Sequence, residues 1–232
     1  MKKFLLIALS TCTLLMAIDL PQSLESTIQS INKNGKTATI SSNVSRGISG
    51  IVIHGYGNGL RAITHTVIGQ NGSEVKIESY TALAHDNLPS IKSAVQKGDK
   101  VIFGNFYNNL MLIAPNEQSY NKITKNMDKN WVHPDLFAMY LISNKENEIS
   151  FDNIKKFSLE NQIGLVLIVG KDKLRVLDPI SQSYLSEEHF SASSKKILSP
   201  FYARFGQISN NFFGSESKKE FPKYYEGVEA IK

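Results

Sequence analysis

The sequence predicts an α+β protein: a small antiparallel β-barrel at the N-terminal end, followed by a mixed α+β lobe. Three observations predict it. Over residues 26–114 the runs between turn residues are short and β-branched, and the turns are built from Asn, Gly and Asp. After Pro115 apolar residues recur at helical spacing. Further on, the apolar run 163–169, a Lys171-Asp172 turn and the run 174–177 read as a hairpin. With 41% apolar and 20% charged residues in a chain of 232, there is material for a sizeable core and no signature of disorder.

The chain opens with Met1-Lys2-Lys3 and an uncharged, mostly apolar run over 4–17, the pattern of a secretory signal peptide. Asp19 and Pro21 arrive too early for a membrane span, which needs about 20 apolar residues. Cleavage after Ala17 starts the mature chain at Ile18. The alternative is a lipobox at Leu9-Ser10-Thr11-Cys12, with lipid on Cys12. Thr11 stands where Gly, Ala or Ser is usual, and cleavage there leaves a short apolar core, so soluble export is favoured. Cys12 is the sole cysteine. A mature chain without it has no disulfide, no thiol nucleophile and no Cys-ligated metal. Loss of Lys2 and Lys3 lowers the net charge from +5 to +3, which is not the charge of a nucleic-acid binder.

In the first half, Asn34-Gly35 separates 27–31 from 37–40, and Asn71-Gly72 separates 63–68 from 75–80. Asn-Gly accepts the positive φ of a tight turn, so each pair predicts a hairpin. Residues 50–54, 101–106 and 110–114 complete a barrel of about six strands. His65 shares a strand face with Ile63 and Val67. His54, His65 and His85 could form a metal site or supply a general base. No carboxylate stands at a ligand-like spacing, so hydrogen-bonded histidines are favoured and neither a metal nor a cofactor is expected. Gly55, Gly57 and Gly59 match no phosphate-loop spacing and suit a hairpin tip that exposes Tyr56.

In the second half, 116–127 is a helix with Tyr120, Ile123 and Met127 on one side. Pro134 suits the first position of the next helix and Asp135 its positive end, with Leu136, Met139 and Tyr140 recurring along it. A third helix covers 151–161, with Ile154, Phe157 and Ser158 aligned. Ser186-Glu187-Glu188 reads as a further helix start. His133 and Asp135 are the best catalytic candidates the chain offers. With no nucleophile motif and a proline between them, helix capping is the favoured reading, and no catalytic residue is assigned. Trp131 is read as a core or seam anchor whose N–H needs a partner.

Gly47-Ile-Ser-Gly-Ile-Val-Ile-His54, Gly98-Asp-Lys-Val-Ile102 leading to Leu112-Ile-Ala-Pro-Asn-Glu117, and above all Trp131-Val-His-Pro-Asp-Leu-Phe137 together resemble the N-terminal domain of the bacterial plasminogen-binding PgbA family, over roughly residues 24–185. The resemblance implies an exported, non-enzymatic bacterial protein, in the periplasm or on the cell surface, that binds host plasminogen. Plasminogen's kringle modules read lysines, C-terminal ones in particular, and longer family members carry a lysine-rich extension. The candidate partner-binding residues are Lys218, Lys219, Lys223 and Lys232, in a polar tail over 214–232. Glu216, Glu220, Glu226 and Glu229 neutralise that tail, which disfavours lipid and DNA as partners. The second reading is a periplasmic scaffold or envelope-assembly module working through the barrel surface, with at most peripheral membrane association. The expected organisation is signal peptide 1–17, barrel 18–114, α+β domain 115–213 and tail 214–232.

Overall fold

The computed structural model describes residues 18–82, 93–193, 196–205 and 221–231. The expected signal peptide, His85, Lys218, Lys219 and Lys232 lie outside the described residues. Five antiparallel strands close the barrel in the order β1-β2-β4-β3-β5: β1 (Leu24–Ile31), β2 (Thr37–Val44), β3 (Ser49–Gly57), β4 (Leu60–Ser79) and β5 (Lys100–Phe103). Val52, Val67, Val75, Val101 and Phe103 fill its interior without exposure. Asn34-Gly35 forms the expected hairpin turn between β1 and β2, with Gly35 at φ +70°.

The hairpin expected at Asn71-Gly72 is not there. Asn71 at φ +97° and Gly72 at φ +65° instead bend β4, a single strand. Its first half pairs with β3 and its second half with β2. The positive φ values foreseen for a turn are used to wrap one long strand around the barrel, because Gly69 just before them is locked to the β2–β3 loop: Gly47 N–H donates to Gly69 O and Gly69 N–H donates to Ile48 O. The β3–β4 hairpin closes through Asn58 and Gly59, both at positive φ, and presents Tyr56 and Leu60 outward.

The barrel strand expected over 110–114 is not in the barrel. Residues 109–113 form β6 (Asn109–Ile113), which belongs to the second sheet, ordered β10-β9-β8-β6-β7. Leu110 to Ile113 are buried on both faces, as a parallel strand between helices must be and a barrel strand is not. β6 runs parallel to β7 (Asn130–Val132) and β8 (Leu165–Val169), while β9 (Lys173–Asp178) and β10 (Ser183–His189) continue antiparallel. α1 (Glu117–Thr124) covers one face, with Tyr120 and Ile123 packed on Leu110, Leu112 and Leu167. α2 (Pro134–Ser143) and α3 (Phe151–Asn161) cover the other, packing Phe137, Leu141 and Phe157 on Met111, Ile113 and Val166. Residues 186–188, expected to open a helix, are strand β10: Glu187 pairs with Arg175 and Glu188 with Leu174, so cross-strand pairing overrides the capping signal.

The tail expected to be polar is a docked element over 221–231. Tyr224, Val228 and Ile231 stand at i, i+4 and i+7 and form a narrow apolar stripe among charges. α4 (Tyr224–Glu229) lays this stripe on the face already covered by α2 and α3. The Tyr224 hydroxyl sits 2.5 Å from the Val169 carbonyl and 3.1 Å from that of Ile113, at the ends of β8 and β6. Arg175, inside the sheet, donates to the Val228 carbonyl. Among the described residues no helix is long and apolar enough to cross a membrane.

The barrel and the lobe meet at Asp178, the last residue of β9, which is fully buried. Its Oδ1 accepts the backbone N–H groups of Ile180 and Ser181, which shapes the turn into β10. Its Oδ2 accepts Ser49 N–H of β3 at 2.8 Å and the Tyr107 hydroxyl at 2.6 Å. Burial, with the neighbouring Asp178 charge, pushes the Tyr107 phenol far above its ordinary value, so it stays a donor. Asp178→Ala should cost at least about 3 kcal/mol, because it leaves one hydroxyl and three amides without an acceptor. Tyr107→Phe, which leaves three donors on the carboxylate, should cost less. Urea denaturation checks both; equal losses would place the key partner elsewhere.

Candidate functional site

Several residues singled out from sequence have defined partners in the described part. His133 caps α2: its backbone is extended, at φ −69° and ψ 137°, and its Nδ1 accepts Asp135 N–H at 3.2 Å. Pro134 occupies the first helical position, where its missing N–H costs nothing. The capping expectation thus matches the geometry. The Asp135 carboxylate lies beside the imidazole, with Oδ1 3.1 Å from His133 Nδ1, and is held by Arg204. Oδ1 accepts the backbone N–H of Arg204 at 2.8 Å and Oδ2 accepts the guanidinium at 2.5 Å. The base nitrogen of His133 and both oxygens of Asp135 are therefore committed, and the pair anchors a strap of chain to α2.

Tyr120, His133 and Tyr202 pack ring against ring, with centroids 5.0 to 5.9 Å apart. Burial holds the His133 imidazole below its ordinary value, against the opposing pull of Asp135. Burial also works to raise the Asp135 carboxyl, but the Arg204 hydrogen bonds outweigh it and hold the group low. Trp131 is half-buried beside α1 and directs its Nε1–H at the Met127 carbonyl, 3.4 Å away. Arg204 and Tyr202 were missed by sequence reading. They lie some seventy residues beyond the motif, and no local pattern announces them.

In the barrel, His54 Nδ1 lies 2.6 Å from Asp99 Oδ1, whose other oxygen accepts Gln96 N–H. A carboxylate does reach a histidine, but from 45 residues away, outside any ligand-like spacing. The Tyr56 ring stands edge-on to His54 at 4.8 Å, and its hydroxyl bonds Ser93 at 2.6 Å. His65 has its Nδ1 buried with no partner among the described residues, and burial lowers its pKa while Asp99 opposes. Among the described residues no three His, Cys, Asp or Glu side chains are arranged to hold a metal ion. Of the lysines, Lys223 is exposed at the N-terminal end of α4, one turn before the exposed Glu226.

His133→Ala should cost about 1 kcal/mol through the lost cap. The pH dependence follows from its lowered folded-state pKa. The neutral imidazole's contribution is complete above the unfolded value of 6.5 and falls as the pH drops from there toward the folded value. His65, also held low, acts with the same sign. The melting temperature should therefore fall between about pH 7.5 and pH 5.5. His133→Asn, which keeps an acceptor for the cap but does not titrate, should flatten part of that fall. Calorimetry at the two pH values decides; parallel curves for the two proteins would remove His133 from the account.

A family model described as "Plasminogen-binding protein pgbA N-terminal" matches residues 23–228. The chain is similar to plasminogen-binding protein PgbA of Helicobacter pylori strain J99, 29% identical over 163 residues that make up 67% of this chain and 36% of that protein. It is equally similar to PgbA of H. pylori strain 26695, at 29% identity over 67% of this chain and 35% of that protein. The chain thus matches about a third of the length of these curated relatives. No solved structure matches it. The match runs from the start of β1 into α4 and takes in the barrel, the Asp178 joint and the Trp131 to Phe137 motif alike. The chain belongs to the PgbA N-terminal family.

Proposed function

We propose that this chain is an exported, non-enzymatic protein-binding module of the bacterial periplasm or cell surface, and that plasminogen kringle modules are its partner. The observation that carries this reading is the family match over nearly the whole described chain. A kringle lysine site reads an ammonium and a carboxylate at fixed separation. Lys223 supports the reading, since it is exposed and Glu226, on the same side of α4, is placed to lend it an anion. Lys218, Lys219 and Lys232 are the further proposed ligands. An exposed charge pair is worth about 1 kcal/mol or less, so one site gives weak binding and several lysines or several copies give tight binding.

A second reading, an envelope scaffold that docks through the barrel, is favoured by the β3–β4 hairpin tip, where Leu60 is 67% exposed and Tyr56 47%. Surface plasmon resonance over immobilised plasminogen separates the two. The kringle reading expects weak binding that a lysine analogue abolishes. Replacing Lys218, Lys219 and Lys223 by Gln and deleting Lys232 should weaken it at least tenfold. Absence of binding by the unmodified chain, or binding that the analogue leaves intact, would overturn this reading. Capture of an envelope protein that is insensitive to the analogue but lost in Leu60→Ser would establish the scaffold in its place.

A further inference from the structure

A cleft of about 150 Å³ opens at the joint between barrel and lobe, beside Ser49, Tyr107 and Ile180. Its wall is mostly apolar: Ile51 from β3, Phe106 from the linker turn, and Leu159 and Ile163 from the end of α3 and the loop beyond it. Into this setting α3 brings Ser158, 1% exposed, whose hydroxyl oxygen has no hydrogen-bond partner. The Ser158 carbonyl, by contrast, is well used, accepting Ile163 N–H at 2.9 Å. An unpaired hydroxyl buried among apolar groups costs about 1–3 kcal/mol unless something answers it. A serine inside a helix can settle on the carbonyl one turn back, and here that bond is not made.

We propose that this cleft binds a small, neutral, largely apolar molecule that carries one hydrogen-bonding oxygen and is about the size of phenol, with Ser158 as its hydrogen-bond partner. The volume sets the size: a cavity of about this capacity lined by aliphatic and aromatic groups takes up benzene. The charge follows from the helix. The cleft lies at the C-terminal end of α3, the negative end of its dipole, and Glu160 stands exposed at the rim, so an anion is disfavoured twice over. The apolar interior offers a cation no buried counter-charge, so transfer of one from water is not repaid. The oxygen follows from Ser158. A ligand here touches β3 of the barrel and α3 of the lobe together, so it stabilises the joint by mass action.

The test is a titration of the full chain with phenol and with benzene, followed by amide resonances in heteronuclear NMR and by melting temperature. The proposal expects saturable shifts centred on 49–51 and 158–164, a melting temperature that rises with phenol, and binding of phenol about fivefold tighter than benzene, the contribution of one hydrogen bond. Ser158→Ala, which removes a hydroxyl that bonds nothing, should fold as well as the unmodified chain and bind the two probes equally. No saturable shift with either probe overturns the proposal. So do shifts confined to other surfaces, and so does a preference for phenol that survives in Ser158→Ala.

Discussion

One buried carboxylate fixes how the two halves of this protein meet. Asp178 lies at the end of a strand in the second sheet, yet two of its four hydrogen bonds reach residues that set the barrel's position: Ser49 at the start of β3 and Tyr107 in the turn that leads out of β5. A buried carboxylate is costly unless donors surround it, and four donors do. The donors are backbone amides and a phenol held in its neutral form, so among the described residues the group is solvated by the fold without a paired cation. Neighbouring contacts depend on that placement. Ser181, positioned by Asp178, donates to the Gly47 carbonyl, and Gly47 sits so close to Ser183 that a β-carbon would collide with it. Ile48 packs into both the barrel and the sheet cores. The joint is a polar centre ringed by apolar contact, and the cleft beside it is the part that ring leaves open.

The barrel closes with five strands because β4 does the work of two. A sheet that small must curve sharply, and the curvature is concentrated where glycine lets backbones approach: a β-carbon on Gly50 would strike the Ile102 carbonyl of β5, and one on Gly69 would strike that of Ser45. The same economy joins barrel to lobe. Gly164, ahead of β8, lies directly against the backbone of Phe106 and Tyr107 and leaves no room for a side chain. Replacing it would push β8 away from the turn that carries Tyr107, and so away from Asp178.

What could be read in the sequence was local. The Asn34-Gly35 hairpin, α2 behind its proline, α3 and the β8–β9 hairpin all carry their signals within a few residues, and each is present. The misreadings share a cause: a local signal with two uses, chosen between by a distant partner. Asn71-Gly72 supplies positive φ for a turn or for a bend, and Gly47 decides for the bend. Residues 110–113 are as apolar as a barrel strand, and only α1 and α2 on its two sides make β6 a central one. Ser186-Glu187-Glu188 is a fair helix start until β9 pairs with it. Tyr224, Val228 and Ile231 are a stripe too thin to stand out from the charges around them. At the candidate sites the motif residues were visible and their partners were not: Asp99 for His54 and Arg204 for Asp135 are set by topology alone.

The second sheet has a topology that would ordinarily open a crevice of its own. β6 is the point at which the connections diverge. The chain leaves β6 through α1 to reach β7 on one side, then returns through α2 and α3 to β8 on the other, with the helices on opposite faces. In open α/β sheets such a switch point leaves a crevice beyond the carboxyl end of the strand, and ligands commonly bind there. Here the chain fills it. Tyr202 N–H donates to the Ala114 carbonyl and Leu198 N–H to that of Pro115, so the strap over 198–204 runs straight across the end of β6. Arg204 pins the strap to Asp135 from one side, and Tyr224 closes the carbonyls of Ile113 and Val169 from the other. The Trp131 to Phe137 motif thereby acquires a physical role. Its histidine starts the helix, its aspartate holds the strap, and together they keep the usual crevice closed.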